Sequence, residues 1–327
     1  MFCSNRISLI YCPFVVSYAK HLIMISVVIP LYNKKDSVAH TLECVLNQTY
    51  QEFEIVVVDD GSTDGGAEVV EGFTDERIRL IRQENGGVSA ARNRGIKEAG
   101  SEYVAFLDAD DEWKPEHLQT LVELMEKYPQ CGAYSTNYEF KQGEKVKQTI
   151  LNKIPFEGED GVLTNYFEVA SCSHPPVWTS AACIKKSLLN EIGGFPVGIK
   201  SGEDLLTWTR IAIRTDWAYS LKATAVFCLG EEERSQPRRR HVEEDPVGKE
   251  LKELSQRNNI IGLKSYIARW HKMRCMCFLQ EEQTRLVWKA GLQSLKYKPT
   301  EYKVCIMMLL SLLPQSIVRM MINRFVR

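Results

Sequence analysis

Along the first 130 residues, short runs of apolar residues alternate with stripes at helical spacing. Ile25 to Pro30 (ISVVIP) is a continuous apolar, β-branched run, the pattern of a strand covered on both faces. Asp36 or Ser37 can cap a following helix, whose Val38, Leu42, Val45 and Leu46 share one face. Glu54 to Val58 (EIVVV) predicts a second buried strand that runs into Asp59-Asp60-Gly61, with Ser62 or Thr63 at the start of the next helix. Ile78 to Ile81 predicts a third, short strand. Gly86-Gly87 turns into a helix from about Val88 to Ala99, stopped by Gly100. Tyr103 to Leu107 predicts a fourth strand ending in Asp108, and Pro115 suits the first turn of a helix reaching about Lys127. Strands and helices alternating in this way predict βαβ units and an α/β fold with a mostly parallel sheet. In such open sheets ligands bind beyond the carboxyl ends of the strands. The acidic and glycine-rich residues fall at those ends.

Past about residue 240 the texture changes. Arg238 to Arg240, His241 and the acidic stretch to Gly248 predict an exposed loop, and helical patterns follow. Val304 to Leu313 is apolar all round for roughly three turns, too short to span a bilayer. Beyond Pro314, the apolar Ile317, Met320, Met321 and Phe325 alternate with Arg319, Arg324 and Arg327. That stretch suits a membrane interface; a helix buried against the rest of the protein is the alternative. Charge sharpens the contrast. Residues 251–327 carry 14 Lys+Arg against 4 Asp+Glu, a balance of +10, so the remainder of a chain with net charge -1 carries -11. An anionic membrane surface is one candidate partner for such a tail, and packing on the acidic body is the other.

The expected organisation is therefore an N-terminal extension (1–23), an α/β domain (24–240) and a basic helical region (241–327). The extension has an interrupted apolar patch around Ile7 to Val16, too short to span a membrane. Met24 stands directly before the first strand, so translation from Met24 is expected, with a short membrane-interacting arm as the alternative. The ten cysteines form no paired CxxC spacing, which argues against structural zinc and fits a reducing, cytoplasmic compartment.

Three segments carry candidate chemistry. Leu107-Asp108-Ala109-Asp110-Asp111 puts two carboxylates two residues apart just past a strand. Such a pair can share a hard divalent cation that keeps sites open for substrate phosphates; an acidic turn, or a phosphatase nucleophile at Asp108, are the other readings. Asp59-Asp60-Gly61 can accept from a base N–H or a ribose hydroxyl, with Gly61 allowing close approach, or can simply cap a helix. Asn85 to Asn93 sets the small residues Gly86, Gly87 and Ser89 at a helix N-terminus, where a ligand can come close.

These segments stand in a fixed order: VVIPLYNK (27–34), VVDDGSTDG (57–65), NGGVSAARNRG (85–95), YVAFLDADD (103–111) and, further on, GEDLLTWTR (202–210). In that order the chain resembles the family 2 glycosyltransferases, which have the GT-A nucleotide-sugar fold, over roughly residues 25–230. The resemblance implies that Pro30, Tyr32 and Asn33 line the base pocket and that Asp60 contacts the base. It implies that Arg92 faces the nucleotide, with Gly87 at the loop before it. Asp108 would touch ribose and Asp110 would hold Mn2+ or Mg2+, with Asp111 a further candidate helper. Asp204 would be the catalytic base, with Glu203 as the alternative. An acceptor hydroxyl needs a carboxylate to take its proton, and one base with one metal-held leaving group suffices for a single, inverting displacement.

By the same resemblance the donor is a nucleotide-diphospho-sugar, uridine being the commonest base, and the acceptor a glycan or lipid-linked hydroxyl. The process would be synthesis of cell-surface polysaccharide, lipopolysaccharide or capsule, at the inner face of the plasma membrane. No nucleic-acid partner is expected. The Gln-x-x-Arg-Trp block and the membrane spans of processive synthases do not occur, which implies transfer of one sugar. A nucleotide-sugar-binding protein without turnover remains an alternative. Trp208 is expected to fill core or stack on a sugar, His174 to be structural or acceptor-binding, and Arg238 to His241 to form a solvated loop or approach the diphosphate.

Overall fold

The structure, a computed structural model, describes residues 22–229, 243–314 and 318. The expectations for residues 1–21, for Arg238 to His241 and for Ile317 and residues 319–327 lie outside the described residues.

The first half follows the alternating plan. Strand β1 (Ile25–Leu31) leads to α1 (Lys35–Leu46), β2 (Phe53–Asp59), α2 (Gly66–Glu71), β3 (Ile78–Arg82), α3 (Val88–Glu98) and β4 (Tyr103–Phe106). These four strands are parallel, in the spatial order β3-β2-β1-β4. β1 is buried at every position because both faces are covered. Val28, Val56, Val104 and Phe106 pack into a core with Ala91 and Ile96 of α3. Ile29, Ile55, Val57 and Leu107 pack on the other side against Val38, Leu42 and Val45 of α1. A strand with two greasy faces reads as an unbroken apolar run.

The helix starts differ from expectation. α1 begins at Lys35 without a side-chain cap; Ser37 Oγ instead donates to the Ala109 carbonyl at 2.8 Å. α2 begins at Gly66, later than Ser62 or Thr63. The Thr63 N–H is already taken by Asn33 Oδ1 at 2.9 Å, and Ser62 Oγ accepts from the Asn33 N–H at 3.1 Å.

The second half is mixed. After β5 (Glu112–Trp113) and α4 (His117–Lys127) come β6 (Ala133–Gln142), β7 (Lys145–Gln148), β8 (Asp160–Leu163), α5 (Tyr166–Cys172), β9 (Ala182–Lys185), α6 (Lys186–Glu191), α7 (Glu203–Ala212) and β10 (Trp217–Cys228). β9 runs antiparallel between β4 and β6, and β10 runs parallel to β6.

Four further helices follow: α8 (Pro246–Arg257), α9 (Leu263–Gln280), α10 (Thr284–Tyr297) and α11 (Tyr302–Leu310). They do not form a detached tail. Val247 and Leu251 of α8, with Tyr266, Ile267 and Trp270 of α9, belong to the same core as α3 and α7. A smaller core joins the end of α9 to α10 and α11. The apolar run at 304–313 is covered on one side only. Val304, Met307, Met308 and Leu310 are buried, while Ile306, Leu309, Leu312 and Leu313 are exposed. No helix among the described residues is long and apolar enough to cross a membrane.

The contact between α3 and β1 sets how close the nucleus of the fold can pack. A Cβ on Gly95 would lie 2.2 Å from Val28 Cγ1. In a free helix, replacing Gly by Ala gains about 1 kcal/mol; here overpacking, at about 1–3 kcal/mol, dominates. Gly95→Ala should therefore lower the denaturation midpoint, and an unchanged or raised midpoint would show that the two elements separate freely.

Candidate active site

The strand order places the site. Between β1 and β4 the chain reverses its direction of progress across the sheet, and the crevice beyond the carboxyl ends at such a point is where open α/β sheets take ligands. The loop after β1 supplies Tyr32, Asn33 and Lys34 to one side, and the loop after β4 supplies Asp108 and Asp110 to the other. Lys34 Nζ and Asp110 Oδ2 meet across the crevice at 2.6 Å, both partly exposed. A shallow depression lined by Leu22, Glu54, Gly100 and Tyr103 sits at the opposite ends of the strands and contains none of the candidate residues.

Each loop is held by its own hydrogen bonds. Asn33 takes a positive φ of 50°, which asparagine tolerates better than most residues, and so bridges the β1 and β2 loops through Ser62 and Thr63. Pro30 is buried within β1, whereas the Tyr32 ring is 49% exposed. Gly61 has φ +78°, and a Cβ there would come within 3.1 Å of the Asn85 nitrogen. Asp60 is buried beneath the glycine loop. Its Oδ1 accepts from Gln83 Nε2 at 2.7 Å and the Gly86 N–H at 2.9 Å, and its Oδ2 from the Gly87 N–H at 2.7 Å. Three donors leave about one acceptor position of this carboxylate for a ligand. Gly87 has φ +86°, and nothing lies within 4 Å of where its Cβ would be, so the entrance to α3 is open.

Arg92 stands at the centre. It is 4% exposed and lies over the Phe195 ring. Its Nη2 donates to Asp108 Oδ1 at 2.7 Å, and its Nη1 is 3.9 Å from Glu203 Oε1. Among the described residues, Nε and Nη1 meet no hydrogen-bond partner. One residue along α3, the Asn93 side chain both donates to and accepts from the Phe195 backbone at 2.8 Å, which fixes the platform under the guanidinium.

Glu203 and Asp204 open α7. Burial raises both carboxyl pKa values, and for Glu203 the neighbouring Asp204 charge adds to it. For Asp204 the Leu205 N–H and Arg92 act in the opposite direction. The start of this helix is fixed from outside the α/β unit. Gly202 has φ +83°, and a Cβ there would lie 2.6 Å from the Trp270 ring of α9. Arg210 of α7 makes two bonds to Glu250 of α8, at 2.6 and 2.8 Å. Trp208 is fully buried among Phe106, Phe195 and Trp217, so it fills core and cannot stack on a sugar. His174 accepts from the Ile150 N–H at 2.9 Å and leans on Phe140.

Asp111 departs from its expected use as a metal helper. It is 1% exposed and turned into the protein. Trp178 Nε1 and Ser180 Oγ donate to its Oδ2, and the Cys228 N–H donates to its Oδ1 at 3.1 Å. Burial, with Asp108 nearby, pushes its carboxyl up to about 8 against the pull of those donors. The strand-end aspartates thus divide: Asp108 and Asp110 face the crevice and Asp111 clamps the sheet behind it. Sequence reasoning gave no role to Lys34, Gln83, Ser180 or Phe195. Lys34 alone carried a signal, as the residue that ends the first motif.

Among the described residues no group of three or more His, Cys, Asp and Glu side chains is arranged to hold a metal ion. A hard ion completed by substrate phosphates and water asks little of the protein; Asp108 is held by Arg92, and the partly exposed Asp110, paired with Lys34, is the carboxylate that would meet such an ion.

The Glycosyl transferase family 2 model matches residues 26–188, which span the four loops described above. A Bacillus subtilis (strain 168) protein named for teichuronic acid biosynthesis, TuaG, is 40% identical over 218 residues, covering 64% of this chain and 78% of that protein. The chain spans between 26% and 31% of the length of the first curated relatives that it matches. Among solved structures, S. aureus TarS in complex with UDP-GlcNAc superposes with a TM-score of 0.66 at 20% identity, over 88% of this chain and 84% of that one. A mannosyltransferase from Pyrobaculum calidifontis, in complex with GDP-Man and Mn2+, gives 0.52 at 20% identity, over 85% and 75%. At such identities the likeness shows the fold, which is GT-A with a helical C-terminal region.

The division of the aspartates can be measured as stability. Asp111→Ala leaves the buried Ser180 donor and the part-buried Trp178 and Cys228 donors without their acceptor; at about 1–3 kcal/mol for a fully buried donor and less for the others, it should cost about 2 kcal/mol or more in denaturant unfolding. Asp110→Ala breaks a partly exposed pair worth about 0–1 kcal/mol. Equal losses for the two variants would contradict the assignment.

Proposed function

The chain belongs to glycosyltransferase family 2, and from that membership we propose that it moves a single sugar from a nucleotide-diphosphate donor to a hydroxyl of a glycan or lipid-linked acceptor, with inversion. The observation that carries this reading is the buried Arg92, which draws the donor-side Asp108 and the acidic pair Glu203-Asp204 into one charge cluster. Donor and base must be neighbours for a direct displacement. Two unpaired buried guanidinium donors also suit a nucleotide-diphosphate oxygen or a ribose hydroxyl.

In the proposed reaction, Tyr32 and Asn33 receive the base over buried Pro30, with Asp60 accepting from the base at its remaining position. Gly61 and Gly87 let the donor approach the backbone, and Asp108 accepts from the ribose. Asp110 would hold Mn2+ or Mg2+, with Lys34 displaced to the leaving phosphate; the cation supplies charge neutralisation for the departing diphosphate. Asp204 takes the acceptor proton as the new C1–O bond forms and the old bond to phosphate breaks. Glu203 beside it interacts with Arg92 and serves as the alternative base. A uridine donor is favoured because it is the commonest in this family, and TarS is solved with UDP-GlcNAc. A role in cell-surface polysaccharide assembly follows the naming of TuaG. Family membership leaves no place for the phosphatase reading of Asp108.

Thermal unfolding with UDP, GDP and dTDP, each with and without Mn2+, tests the donor site. A native-state ligand at 100 times its Kd stabilises by about 2.7 kcal/mol. One nucleotide should give a Mn2+-dependent shift, lost in Asp110→Ala and kept in Asp204→Asn, whose donor hydrolysis and transfer should fall by at least about 100-fold. No shift with any nucleotide in folded protein would overturn the reading.

Attachment to the inner face of the plasma membrane belongs to the same proposal. Tyr302, Ile306, Leu309 and Leu313 recur on one exposed stripe of α11 and its end, beside a basic α10, as an interfacial helix requires. Truncation at Gly248 would remove part of the catalytic core, so point variants are needed. Leu309→Glu with Leu313→Glu should abolish co-sedimentation with phosphatidylserine vesicles while leaving nucleotide binding intact; undiminished sedimentation would exclude this face.

A further inference from the structure

The two strand-end carboxylates that face the crevice each hold a cation of the protein. Asp108 accepts from Arg92 at 2.7 Å, and Asp110 pairs with Lys34 at 2.6 Å. The two cations differ in freedom. Arg92 is 4% exposed, lies over the Phe195 ring and has Glu203 as a second carboxylate, so leaving Asp108 would strand buried charge. The side chains of Lys34 and Asp110 are 46% and 38% exposed, and a pair so placed is favoured by at most about fivefold.

The backbone around the pair is fixed from both sides. The Lys34 carbonyl accepts from the Ser37 and Val38 N–H groups at 3.2 and 3.0 Å, in the first turn of α1. Its chain neighbours are tied to the loop after β2: Asn33 through Ser62 and Thr63, and Lys35 through its N–H to Asp64 Oδ2 at 2.8 Å. The loop that carries Asp110 is tied to α1. The Ala109 carbonyl accepts from Ser37 Oγ at 2.8 Å and from Thr41 Oγ1 at 3.0 Å, and the Asp111 carbonyl accepts from Thr41 Oγ1 at 3.1 Å. Rearrangement at this point is therefore a matter of side chains, and the flexible four-carbon stem of lysine suits it.

Charge then sets which ligands can enter alone. A bare divalent ion reaching Asp110 has to displace Lys34, and it leaves the ammonium beside a doubly charged ion that repels it. A nucleoside diphosphate gives that ammonium a new anionic partner and supplies oxygens that the ion prefers. Each ligand removes an obstacle to the other, and such a coupling is reciprocal.

We infer that Lys34 couples metal binding to nucleotide binding: it holds Asp110 against a bare cation and releases it to a cation that arrives with a diphosphate. The inference rests on Asp110 holding the metal and on a nucleotide-diphosphate donor, as proposed above, and adds to them an order of binding. Because Lys34 serves two partners in turn, its removal should have opposite effects on two ligands.

Electron paramagnetic resonance of free Mn2+, in titrations of the full chain with and without saturating UDP or GDP, tests this. The parent should bind Mn2+ at least about fivefold more tightly with one of the nucleotides than without. Lys34→Met should bind bare Mn2+ about two- to fivefold more tightly than the parent, the worth of the pair that it removes. In the presence of Mn2+ it should bind that nucleotide at least about fivefold less tightly. Lys34→Arg, which keeps the charge, should follow the parent on both counts. Lys34→Met combined with Asp110→Asn should lose the gain in bare Mn2+ binding, which locates that gain at Asp110. Equal Mn2+ affinity of the parent with and without nucleotide, or bare Mn2+ binding by Lys34→Met no tighter than by the parent, would overturn the coupling; nucleotide binding by the parent would then leave the donor reading in place. A parent protein that binds neither nucleotide would overturn the donor reading, and the coupling with it.

Discussion

A guanidinium taken out of water has to be answered by negative charge, and Arg92 imposes that demand on three separate parts of the chain. α3 delivers the arginine, the end of β4 delivers Asp108, and the first turn of α7 delivers Glu203. The Phe195 ring beneath it is fastened to Asn93, so the platform and the charge come from neighbouring residues of one helix. Breaking one partner of such a buried group costs about 3–5 kcal/mol, enough to keep these elements in register. The same constraint brings carboxylates from residues 108 and 203, far apart in sequence, to one crevice.

The parallel half of the sheet was legible because its physics is local. β1, β2 and β4 are covered on both faces and must be apolar throughout, and a short β-branched run of that kind suits little else than a doubly covered strand. Motif order placed the crevice residues for the same reason: loops at the carboxyl ends of parallel strands converge wherever the order reverses. Helix starts were less legible. Ser37, Ser62 and Thr63 were plausible caps by type, yet each makes its bond to another loop, and no local rule reveals a partner that distant.

The mixed half was illegible for a different reason. β7, β8 and β9 have four residues each, and β7 (KVKQ) is exposed throughout. Unlike the equally short but fully apolar β4, strands of four residues with polar positions have too little pattern to be distinguished from a turn. Asp111 shows the limit most clearly. As a third aspartate after a strand it has the same local sequence as a ligand, and only the approach of Trp178, Ser180 and the Cys228 backbone gives it a structural use. The run at 304–313 hid a similar ambiguity, since a ten-residue stretch with nine apolar residues does not say that one face packs on α9 and α10 while the other meets solvent.

The ring of Trp270 resting on Gly202 has a consequence for how the enzyme comes into being. The turn that introduces Glu203 and Asp204 is pressed into shape by a residue synthesised 68 positions later. Until α9 has been made and docked, the turn lacks that neighbour, so the setting of Glu203 and Asp204 depends on chain that lies beyond the segment matched by the family model.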